Sequence, residues 1–371
     1  MSTRAERLQA ALERVGSAEA AQATGPEGAG VDLLLVTDLT NVRYLTGFTG
    51  SNGAVLIGGG RRCFATDFRY VEQAAEQVES SYEQVIGSND LAAKLAESLP
   101  DGELRLGYEE QHTSVAALRK LRAVLPERVT LVGLSGLVEE LRRVKDEGEI
   151  ALIAASAKLA DEALEALLER GIIGRTEREL ALALEHDMRL RGASGPSFDS
   201  IVAAGAHGAL PHAEPRDVKI ERGQLVTFDW GAVYNGYCSD CTRTVAAGEV
   251  GPELREAYEL VLGAQMIGVG EVCAGGDGRA IDRAVRDVID GAGHREHYGH
   301  GLGHGVGLEV HEEPNLSPRS TDTLRVGDVV TVEPGVYVPG RFGLRIEDLL
   351  VVGEQGVRVL TSIPKALRVI D

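Results

Sequence analysis

The sequence is poor in cysteine, in aromatic residues and in basic side chains, and these shortages exclude several classes of protein. Four cysteines in 371 residues are too few for a disulfide framework, which favours a reducing compartment. The 38 Lys and Arg against 57 Asp and Glu give a net charge of −19, and so acidic a surface repels nucleic acid and anionic lipid. No apolar run approaches the roughly 18 residues of a membrane span, and the first residues lack a signal-peptide core. We therefore expect a cytoplasmic protein that binds neither nucleic acid nor membranes.

The rest of the composition is that of a folded protein with two domains. Hydrophobic residues make up 43 % and charged residues 26 %, which suffices for sizeable cores, and the length suggests two folding units. In the run ELRRVKDEGEIALI a charged stretch turns abruptly amphipathic. We place the boundary there and predict domains over 1–140 and 141–371.

The first domain is predicted to be α/β and the second α+β. In the first, a helix over Ala5–Val15 and a small-residue loop over 16–30 precede strands at 33–36, 54–57 and 62–65 and helices at 90–99 and 114–125. In the second, helices and glycine-punctuated hairpins form clusters without regular alternation. Thr176 and Glu179 form a capping box there, Pro252 opens a helix, and Gly291 is expected to end the following one.

A two-residue turn at Asn235-Gly236 is the strongest hairpin signal, within FDWGAVYNGYCSDCTRT. The register of such a turn places Asp229 opposite Thr242 and puts Asp229 and Asp240 on one face. The two carboxylates could then reach one ion or a close pair of ions, and without a cation or a proton they would repel each other. The alternative is a pair of solvent-facing aspartates on an edge hairpin.

Cys238 and Cys241 lie in the same hairpin and could be mistaken for a zinc or thioredoxin-like motif. Spaced by three in a strand, their sulfur atoms point to opposite faces, and no second cysteine pair completes a zinc site. We interpret both as packed cysteines. Cys238 falls on the aspartate face, so it could lie near the site without being a ligand.

Glu333 and Glu347 flank a second hairpin-like segment, EPGVYVPGRFGLRIED. Their separation is even, so a plain two-residue turn would put them on opposite faces. If both carboxylates converge, an odd-length loop or a bulge is required around Pro339 to Phe342. Alternatively, each is an ordinary strand-end glutamate.

Four of the nine histidines lie within fifteen residues, in EHYGHGLGHGVGLEVHEEP: His297, His300, His304 and His311. The intervening glycines let the backbone approach closely, but no phosphate-loop register fits them. Four carboxylates with one or two imidazoles suit Mn²⁺ or Mg²⁺ better than a structural zinc and can hold two ions about 3.5 to 4 Å apart. This interpretation gives a hydrolase that uses a metal-activated water.

Together and in order, the strings FDWGAVYNGYCSDCTRT, GHGLGHGVGLEVHE, TVEPGVY and RIED resemble the proline-specific pita-bread metallopeptidases, aminopeptidase P and the Xaa-Pro dipeptidase (prolidase). The strings NVRYLTGFTGSNGAVLI and ATDFRYVEQA look like the creatinase-type N-terminal domain of this group. The resemblance implies an α/β creatinase-type domain, then a pita-bread α+β catalytic domain, and commonly a dimer formed through the N-terminal domain.

The same resemblance implies the site residues. It implies two divalent ions, usually Mn²⁺ with Co²⁺ or Zn²⁺ as alternatives, and the ligands are Asp229, Asp240, His304, Glu333 and Glu347. The histidines that position substrate and stabilise the tetrahedral intermediate are matched by His212, His300 and His311. Arg345 matches an arginine that orients substrate or a bridging carboxylate, and Glu333 is expected to carry a proton to the proline nitrogen. His207 stands where relatives often have another polar residue, which leaves its role open.

The function that the resemblance implies is an Xaa-Pro aminopeptidase, which removes the first residue from peptides with proline in second position. The close alternative is the Xaa-Pro dipeptidase, whose site caps the carboxylate of proline instead of accepting further chain. Creatinase shares both domains but does not use the metal cluster, and five intact ligands argue against it. A non-catalytic pita-bread binding protein should have lost ligands, and none is lost here.

Overall fold

The computed structural model describes residues 3–15, 30–87 and 90–371, and the chain divides into two compact units, Met1–Arg142 and Arg143–Asp371. The loop predicted over 16–30 lies outside the described residues, apart from Gly30. Each unit has its own clusters of buried apolar residues. The two-domain organisation expected from the length is therefore confirmed.

The first unit is an α/β domain built on a mixed six-stranded sheet. Its strands are β1 Leu33–Val36, β2 Gly53–Gly58, β3 Arg61–Asp67, β4 Glu83–Gly87, β5 Leu104–Glu109 and β6 Val129–Leu134. The order across the sheet is β4-β3-β2-β1-β5-β6, with β1, β2 and β3 antiparallel and the other pairs parallel. The helices are α1 Arg4–Val15, α2 Leu39–Thr46, α3 Val71–Gln77, α4 Leu91–Ala96, α5 Val115–Val124 and α6 Leu137–Arg143.

The second unit repeats one order of elements: two helices, then strands that include an interrupted hairpin. The first set is α7 Glu147–Leu168, α8 Glu177–Leu190, β7 Gly195–Pro196, β8 Ile201–Ala204, β9 Gln224–Trp230, β10 Ala232–Tyr234, β11 Tyr237–Cys238 and β12 Cys241–Ala247. The second set is α9 Pro252–Glu271, α10 Gly278–Gly291, β13 Gly303–Gly305, β14 Glu312–Leu316, β15 Val329–Val332, β16 Gly335–Val338, β17 Phe342–Arg345 and β18 Asp348–Gly353. Two further strands are β19 Gly356–Val359 and β20 Val369–Ile370.

Each helix pair packs on its own sheet. Helices α7 and α8 bury residues such as Leu164 and Leu184 against Phe228 and Trp230 of the sheet β20-β12-β9-β8. Helices α9 and α10 pack in the same way on the sheet β14-β13-β15-β18-β19. Burial of these apolar faces stabilises the unit by roughly 1.5–3 kcal/mol for each large side chain. The two sheets hold the interrupted hairpins, which carry the predicted carboxylates.

Two of the three helix-end signals predicted from the sequence are confirmed, and the third gives the position of the helix end but not its conformation. The Thr176–Glu179 capping box forms, with the Glu179 amide donating to Thr176 Oγ1 at 3.1 Å, and Pro252 occupies the first turn of α9. Gly291 is the last residue of α10 and does not end the helix by its own conformation. The left-handed residue is Gly293, with φ 85°, two positions beyond the last helical residue.

Asp161, on α7, is a buried carboxyl with only one satisfied oxygen. Its Oδ2 accepts the hydroxyl of Ser362 at 2.8 Å and the amide of the same residue, while Oδ1 has no hydrogen-bond partner in the described part of the chain. Burial raises the pKa of Asp161 to about 6, against an ordinary value of 3.8. Its protonation is therefore coupled to folding in the acidic range.

We expect Asp161→Asn to make the free energy of unfolding less dependent on pH between about pH 4 and 7. Between about pH 4 and 6 the folded state binds more protons at this carboxyl than the unfolded state does, so stability falls as the pH rises through that interval. From pH 4 to pH 7 the unfolding free energy of the parent should fall by roughly 2–3 kcal/mol more than that of the variant. Urea unfolding at both pH values measures this, with Asp217→Asn at an exposed position as control. Equal falls in parent and variant would contradict it.

Candidate metal centre

The first hairpin has the turn and the register predicted from its sequence. Asn235 and Gly236 have φ values of 47° and 84°, as a two-residue hairpin turn with two left-handed residues requires. Pairing of β9 with β12 places Asp229 directly opposite Thr242. The turn therefore fixes where Asp229 lies relative to the returning strand.

The ladder of this hairpin is interrupted at Gly231, opposite the residues that precede β12. A Cβ atom at Gly231 would lie 1.9 Å from the carbonyl oxygen of Ser239 and 2.2 Å from the hydroxyl oxygen of Ser197. Only glycine permits this close approach. Asp240 lies at the interruption, between β11 and β12, and has no ladder partner there.

The second hairpin has the odd-length loop that converging glutamates require. Strands β16 and β17 are joined by residues 339–341, and the flanking strands β15 and β18 pair Val332 with Asp348. Glu333 and Glu347 follow and precede this pair, so they lie opposite each other where the ladder breaks. The predicted odd-length loop is confirmed.

His304 is the middle residue of β13, a short strand squeezed between β14 and β15. A Cβ atom at Gly303 would lie 2.0 Å from the carbonyl oxygen of Thr331, and one at Gly305 would lie 2.3 Å from that of Glu313. These glycines let the strand fit between its neighbours. The imidazole Nδ1 lies 3.0 Å from the Gly305 carbonyl oxygen, which leaves Nε2 to face the carboxylates.

The five side chains predicted as metal ligands come together. One carboxylate oxygen each from Asp229, Asp240 and Glu347 lies within 4.8 Å of the other two, and these residues are 8 %, 5 % and 1 % exposed. Nε2 of His304 lies 3.6 Å from Oδ2 of Asp240 and 3.3 Å from Oε1 of Glu333. The cluster thus has three buried carboxylates with the His304–Glu333 pair beside them.

The donor set fits divalent metal ions. Oδ1 of Asp229 and Oε1 of Glu347 are buried and have no hydrogen-bond partner among the described residues. Burial, together with the charges of the neighbouring carboxylates, raises the pKa of Asp229, Asp240 and Glu347. Unsatisfied buried oxygens that repel one another need protons or cations, and carboxylates with one imidazole suit hard to borderline divalent ions.

Glu333 differs from the other carboxylates. Burial raises the pKa of a carboxyl, but here the hydrogen bond and charge of His304 and the charges of His300 and Arg345 outweigh burial and lower the pKa to about 2. The same pairing raises the pKa of His304 against its burial. Thr331 donates its hydroxyl to Oε1 of Glu333 at 3.2 Å. Glu333 is therefore the carboxylate held most firmly in the ionised form.

Arg345 is a buried cation that spans the site. Its Nη2 donates to Asp229, its Nε donates to Thr242 Oγ1 at 3.0 Å, and its Nη1 donates to the Tyr337 hydroxyl at 2.7 Å. Nη1 also lies 3.3 Å from the carbonyl oxygen of Pro211. The guanidinium thus orients Asp229 and neutralises part of the surrounding negative charge.

The three predicted substrate histidines differ in exposure. His300 is half-buried, with Nε2 2.9 Å from the Tyr337 hydroxyl oxygen and Nδ1 2.8 Å from the Gly301 carbonyl oxygen, and burial lowers its pKa. His212 and His311 are exposed, and the His311 ring lies 4.4 Å from that of His304. All three line one cleft with the carboxylates.

Two contributors to the site were missed by the sequence analysis. Tyr337 is buried and its hydroxyl joins His300 to Arg345, and burial raises its pKa to about 12, which keeps the phenol neutral. Thr242 donates its hydroxyl to Oε2 of Glu347 at 2.7 Å and so links the two hairpins. Both lie inside the quoted strings, TVEPGVY and CTRT, but one sequence does not show which hydroxyls turn inward.

The cleft has a volume of about 610 Å³, and all nine predicted site residues line it. Arg345 is the only Lys or Arg among its described lining residues, and it is already engaged. One wall is apolar and consists of Phe198, Ile201, Pro211, Ala213 and Pro215. An apolar wall beside a polar cluster is the usual form of a small-ligand site.

The remaining sequence signals lie outside the cleft. Cys238 and Cys241 form no disulfide and pack in different apolar clusters, so they point to opposite faces as predicted. Cys238 does not line the cleft; its Sγ lies 3.6 Å from the Leu308 carbonyl oxygen. His207 is 9 % exposed, with Nδ1 2.9 Å from a carboxylate oxygen of Glu177.

Comparison with known families decides the class of this protein. Residues 151–354 match the sequence model of metallopeptidase family M24, and residues 26–144 match that of the creatinase/prolidase N-terminal domain. The chain belongs to metallopeptidase family M24. The two matches confirm the predicted family and the two-domain architecture with a pita-bread catalytic domain. Membership of this family implies peptide-bond hydrolysis with divalent metal ions. Among the described residues, no helix combines the length and apolar character needed to cross a membrane.

Several relatives cover nearly the whole M24 chain. An uncharacterised peptidase of Bacillus subtilis, YqhT, is 44 % identical over 91 % of this chain and 96 % of its own length. The Xaa-Pro dipeptidase of Pyrococcus horikoshii is 34 % identical over 91 % and 94 %. Among solved structures, an Xaa-Pro dipeptidase from Bacillus anthracis has a TM-score of 0.91 at 40 % identity and 99 % coverage of both chains. An X-Pro aminopeptidase from Thermotoga maritima has a TM-score of 0.86 at 37 % identity, covering 92 % of this chain and 98 % of that one.

Proposed function

We propose that this M24 protein hydrolyses Xaa-Pro dipeptides at a centre of two divalent ions. The proposed ligands are Asp229, Asp240, His304, Glu333 and Glu347. The observation that carries the proposal is the convergence of these side chains at the base of one cleft, with two buried carboxylate oxygens that have no partner among the described residues. Four carboxylates balance the charge of two divalent ions, with manganese as the expected metal.

The chemistry divides between the ions and the side chains. When bound, two divalent ions supply a water nucleophile of lowered pKa and a Lewis acid for the carbonyl oxygen. Glu333, which lines the cleft 3.3 Å from Nε2 of His304, would carry a proton from the attacking water to the proline nitrogen, which must be protonated to leave. His311 and His212, on the cleft wall, would donate hydrogen bonds to the developing oxyanion and hold the substrate.

Arg345 and Tyr337 would keep this arrangement in place. Arg345 holds the Asp229 carboxylate through a charge-assisted hydrogen bond, and the Tyr337 hydroxyl connects Arg345 to His300. Proline suits the apolar wall of the cleft, since its ring is apolar. Its tertiary amide has no N–H, so peptidases that grip an extended backbone by hydrogen bonds lose a donor at this residue.

The comparisons with known proteins favour dipeptides as the proposed substrate class. Two relatives with nearly complete coverage, from Pyrococcus horikoshii and Bacillus anthracis, are named Xaa-Pro dipeptidases. This favours the dipeptidase over the aminopeptidase that the sequence analysis placed first. The aminopeptidase is the second candidate, for two reasons: the Thermotoga maritima neighbour is an X-Pro aminopeptidase, and the described cleft lining has no unengaged Lys or Arg to cap the carboxylate of a dipeptide.

Hydrolysis of Ala-Pro and Ala-Pro-Ala by the manganese-loaded protein tests the proposal, with Ala-Ala as the control for proline. We expect Ala-Pro to be cleaved at least about tenfold faster than Ala-Pro-Ala, a difference of about 1.4 kcal/mol in transition-state binding. The reverse order would establish the aminopeptidase. Cleavage of neither peptide by protein that holds two metal ions per chain would contradict both and favour a binding protein.

A further inference from the structure

Glu177 is a buried carboxylate that the proposed mechanism does not use. It is the first residue of α8 and is 1 % exposed. Its two oxygens accept the backbone amide of Ala204 at 2.9 Å and that of Arg216 at 3.0 Å. Ala204 immediately precedes and Arg216 ends the loop 205–216, which begins with a 3₁₀ helix at Gly205–Ala209 and returns toward β9. Glu177 therefore fastens both ends of one loop.

Two side chains from the same loop complete the contact. Nδ1 of His207 lies 2.9 Å from Oε2 of Glu177, and Nε of Arg216 lies 3.3 Å from the same oxygen. Burial alone would raise the pKa of Glu177, but Arg216, the backbone amides and His207 outweigh burial and lower it. The carboxylate is thus ionised and fully hydrogen-bonded.

The other side of this loop forms a wall of the cleft. Residues 211–215, which include His212, line the cleft, and the Pro211 carbonyl oxygen lies 3.3 Å from Nη1 of Arg345. The start of the loop also packs directly on β17, because a Cβ atom at Gly343 would lie 1.9 Å from the carbonyl oxygen of Gly208. A shift of the loop would therefore move His212 and disturb the strand that carries Arg345.

The start of α8 does not need Glu177. Thr176 caps the helix and Glu179 completes the capping box, with the Thr176 amide donating to Glu179 at 2.7 Å. A capping box satisfies two of the orphan amides at a helix start and does not require a second acidic side chain there. The side-chain hydrogen bonds of Glu177 run to Ala204 at the end of β8 and to His207 and Arg216 of the loop, rather than to its own helix.

We propose that Glu177 is a positioning residue, which clamps the loop 205–216 from behind and thereby holds His212 at the metal centre. The inference rests on the proposed function, since His212 has a task only if the cleft binds a peptide. It gives His207, whose role the sequence left open, a place in the clamp. The acidic side chain is needed because its two oxygens serve two backbone amides and two cationic or polar side chains at once.

The kinetic test is a double-mutant cycle between Glu177 and His212, measured with the Xaa-Pro peptide that the parent cleaves best. We expect Glu177→Ala to lower kcat by roughly 10- to 100-fold, since a displacement of about 1 Å at a positioned group costs this much. In the His212→Ala background the same change should cost less than about threefold, because its target is gone. Glu177→Gln, which keeps one acceptor oxygen, should lie between parent and alanine variant. Additive losses in the two backgrounds would overturn the proposal.

The second arm is amide hydrogen exchange and does not depend on activity. In Glu177→Ala the amides of Ala204 and Arg216 should exchange at least about tenfold faster than in the parent. The matched control is Glu179→Ala, which weakens the same helix start without touching the loop and should leave both kcat and loop exchange unchanged. Unchanged exchange in Glu177→Ala would overturn the clamp. If the parent cleaves no Xaa-Pro peptide, the proposed function fails, and exchange alone decides the clamp.

Discussion

We expect Glu347→Gln to abolish peptidase activity and, at the same time, to stabilise the metal-free protein. Activity should fall by about 10³-fold or more, because Glu347 is a proposed metal ligand and bound divalent ions would supply several kcal/mol of transition-state stabilisation. Stability should change in the opposite direction. Oxygens of Glu347, Asp229 and Asp240 lie within 4.8 Å of one another in a buried site, and removal of one charge relieves their repulsion.

The expected gain for the metal-free variant is roughly 1–3 kcal/mol in the free energy of unfolding near pH 8. We expect a gain because burial and the neighbouring carboxylates raise the pKa of Glu347. The ionised carboxylate is therefore less stable in the folded state than in the unfolded state. Glutamine has nearly the same shape and can still accept the hydrogen bond from Thr242. Without metal, the substitution therefore removes a charge and little else.

Urea unfolding of parent and variant measures the free energy of unfolding, once with EDTA for the metal-free proteins and once with manganese. Manganese should stabilise the parent strongly and the variant weakly, since binding to the folded state alone adds to its stability. Metal content per chain is determined on the same samples. A metal-free variant that is less stable than the metal-free parent would show that the carboxylates are not in conflict, and the proposal of a dinuclear centre would fail.

Asp348→Asn, one residue further along the chain, should have the opposite effect on stability. Asp348 is 1 % exposed, and both of its carboxylate oxygens are hydrogen-bonded. Oδ1 accepts hydrogen bonds from Nη2 of Arg243 and the hydroxyl of Thr361. Oδ2 accepts hydrogen bonds from Nζ of Lys365 and Nε2 of Gln265. Its charge is needed because Arg243 is itself 2 % exposed. Neutralising Asp348 leaves that buried cation without its counter-ion.

The expected cost is roughly 3–5 kcal/mol in the free energy of unfolding, with or without manganese, as for other broken buried ion pairs. The matched control is Glu253→Gln, because Glu253 pairs with Arg341 at the surface, where both side chains are more than half exposed. That change should cost less than about 1 kcal/mol. A loss below about 1 kcal/mol for Asp348→Asn would contradict the buried ion pair.

The contrast between Glu347 and Asp348 shows why neighbouring carboxylates are not equivalent. One faces other carboxylates, whereas the other faces Arg243 and Lys365. Arg243 also donates a hydrogen bond to the carbonyl oxygen of Glu347. The buried ion pair of Arg243 and Asp348 therefore helps to hold the backbone of Glu347 in place. Glu347 immediately precedes β18 and Asp348 begins it, and the two neighbouring side chains face opposite electrostatic environments.

Turn chemistry explains how far the sequence could predict the hairpins. Asn-Gly specifies a two-residue turn, and a turn of known length fixes the register, so the position of Asp229 opposite Thr242 follows from local sequence. For Glu333 and Glu347 to converge, parity required an odd-length loop or a bulge between them, and the structure has the loop. Strands β4, β5 and β6 were not predicted, because their identity as strands depends on neighbours that are distant in sequence.

By itself, the sequence determined the register of the first hairpin, the parity of the second and the helix starts at Thr176 and Pro252, because each depends on short strings whose geometry is local. The family followed from the resemblance of such strings to a known group, and the set of metal ligands remains a prediction. Only the tertiary structure decided which groups face one another: the Tyr337 hydroxyl between His300 and Arg345, the Thr242 hydroxyl on Glu347, and the Glu177 carboxylate behind the loop of His212. These contacts join segments from some 8 to more than 100 positions apart. Such pairings depend on how packed sheets and helices are placed, and local sequence does not contain that information.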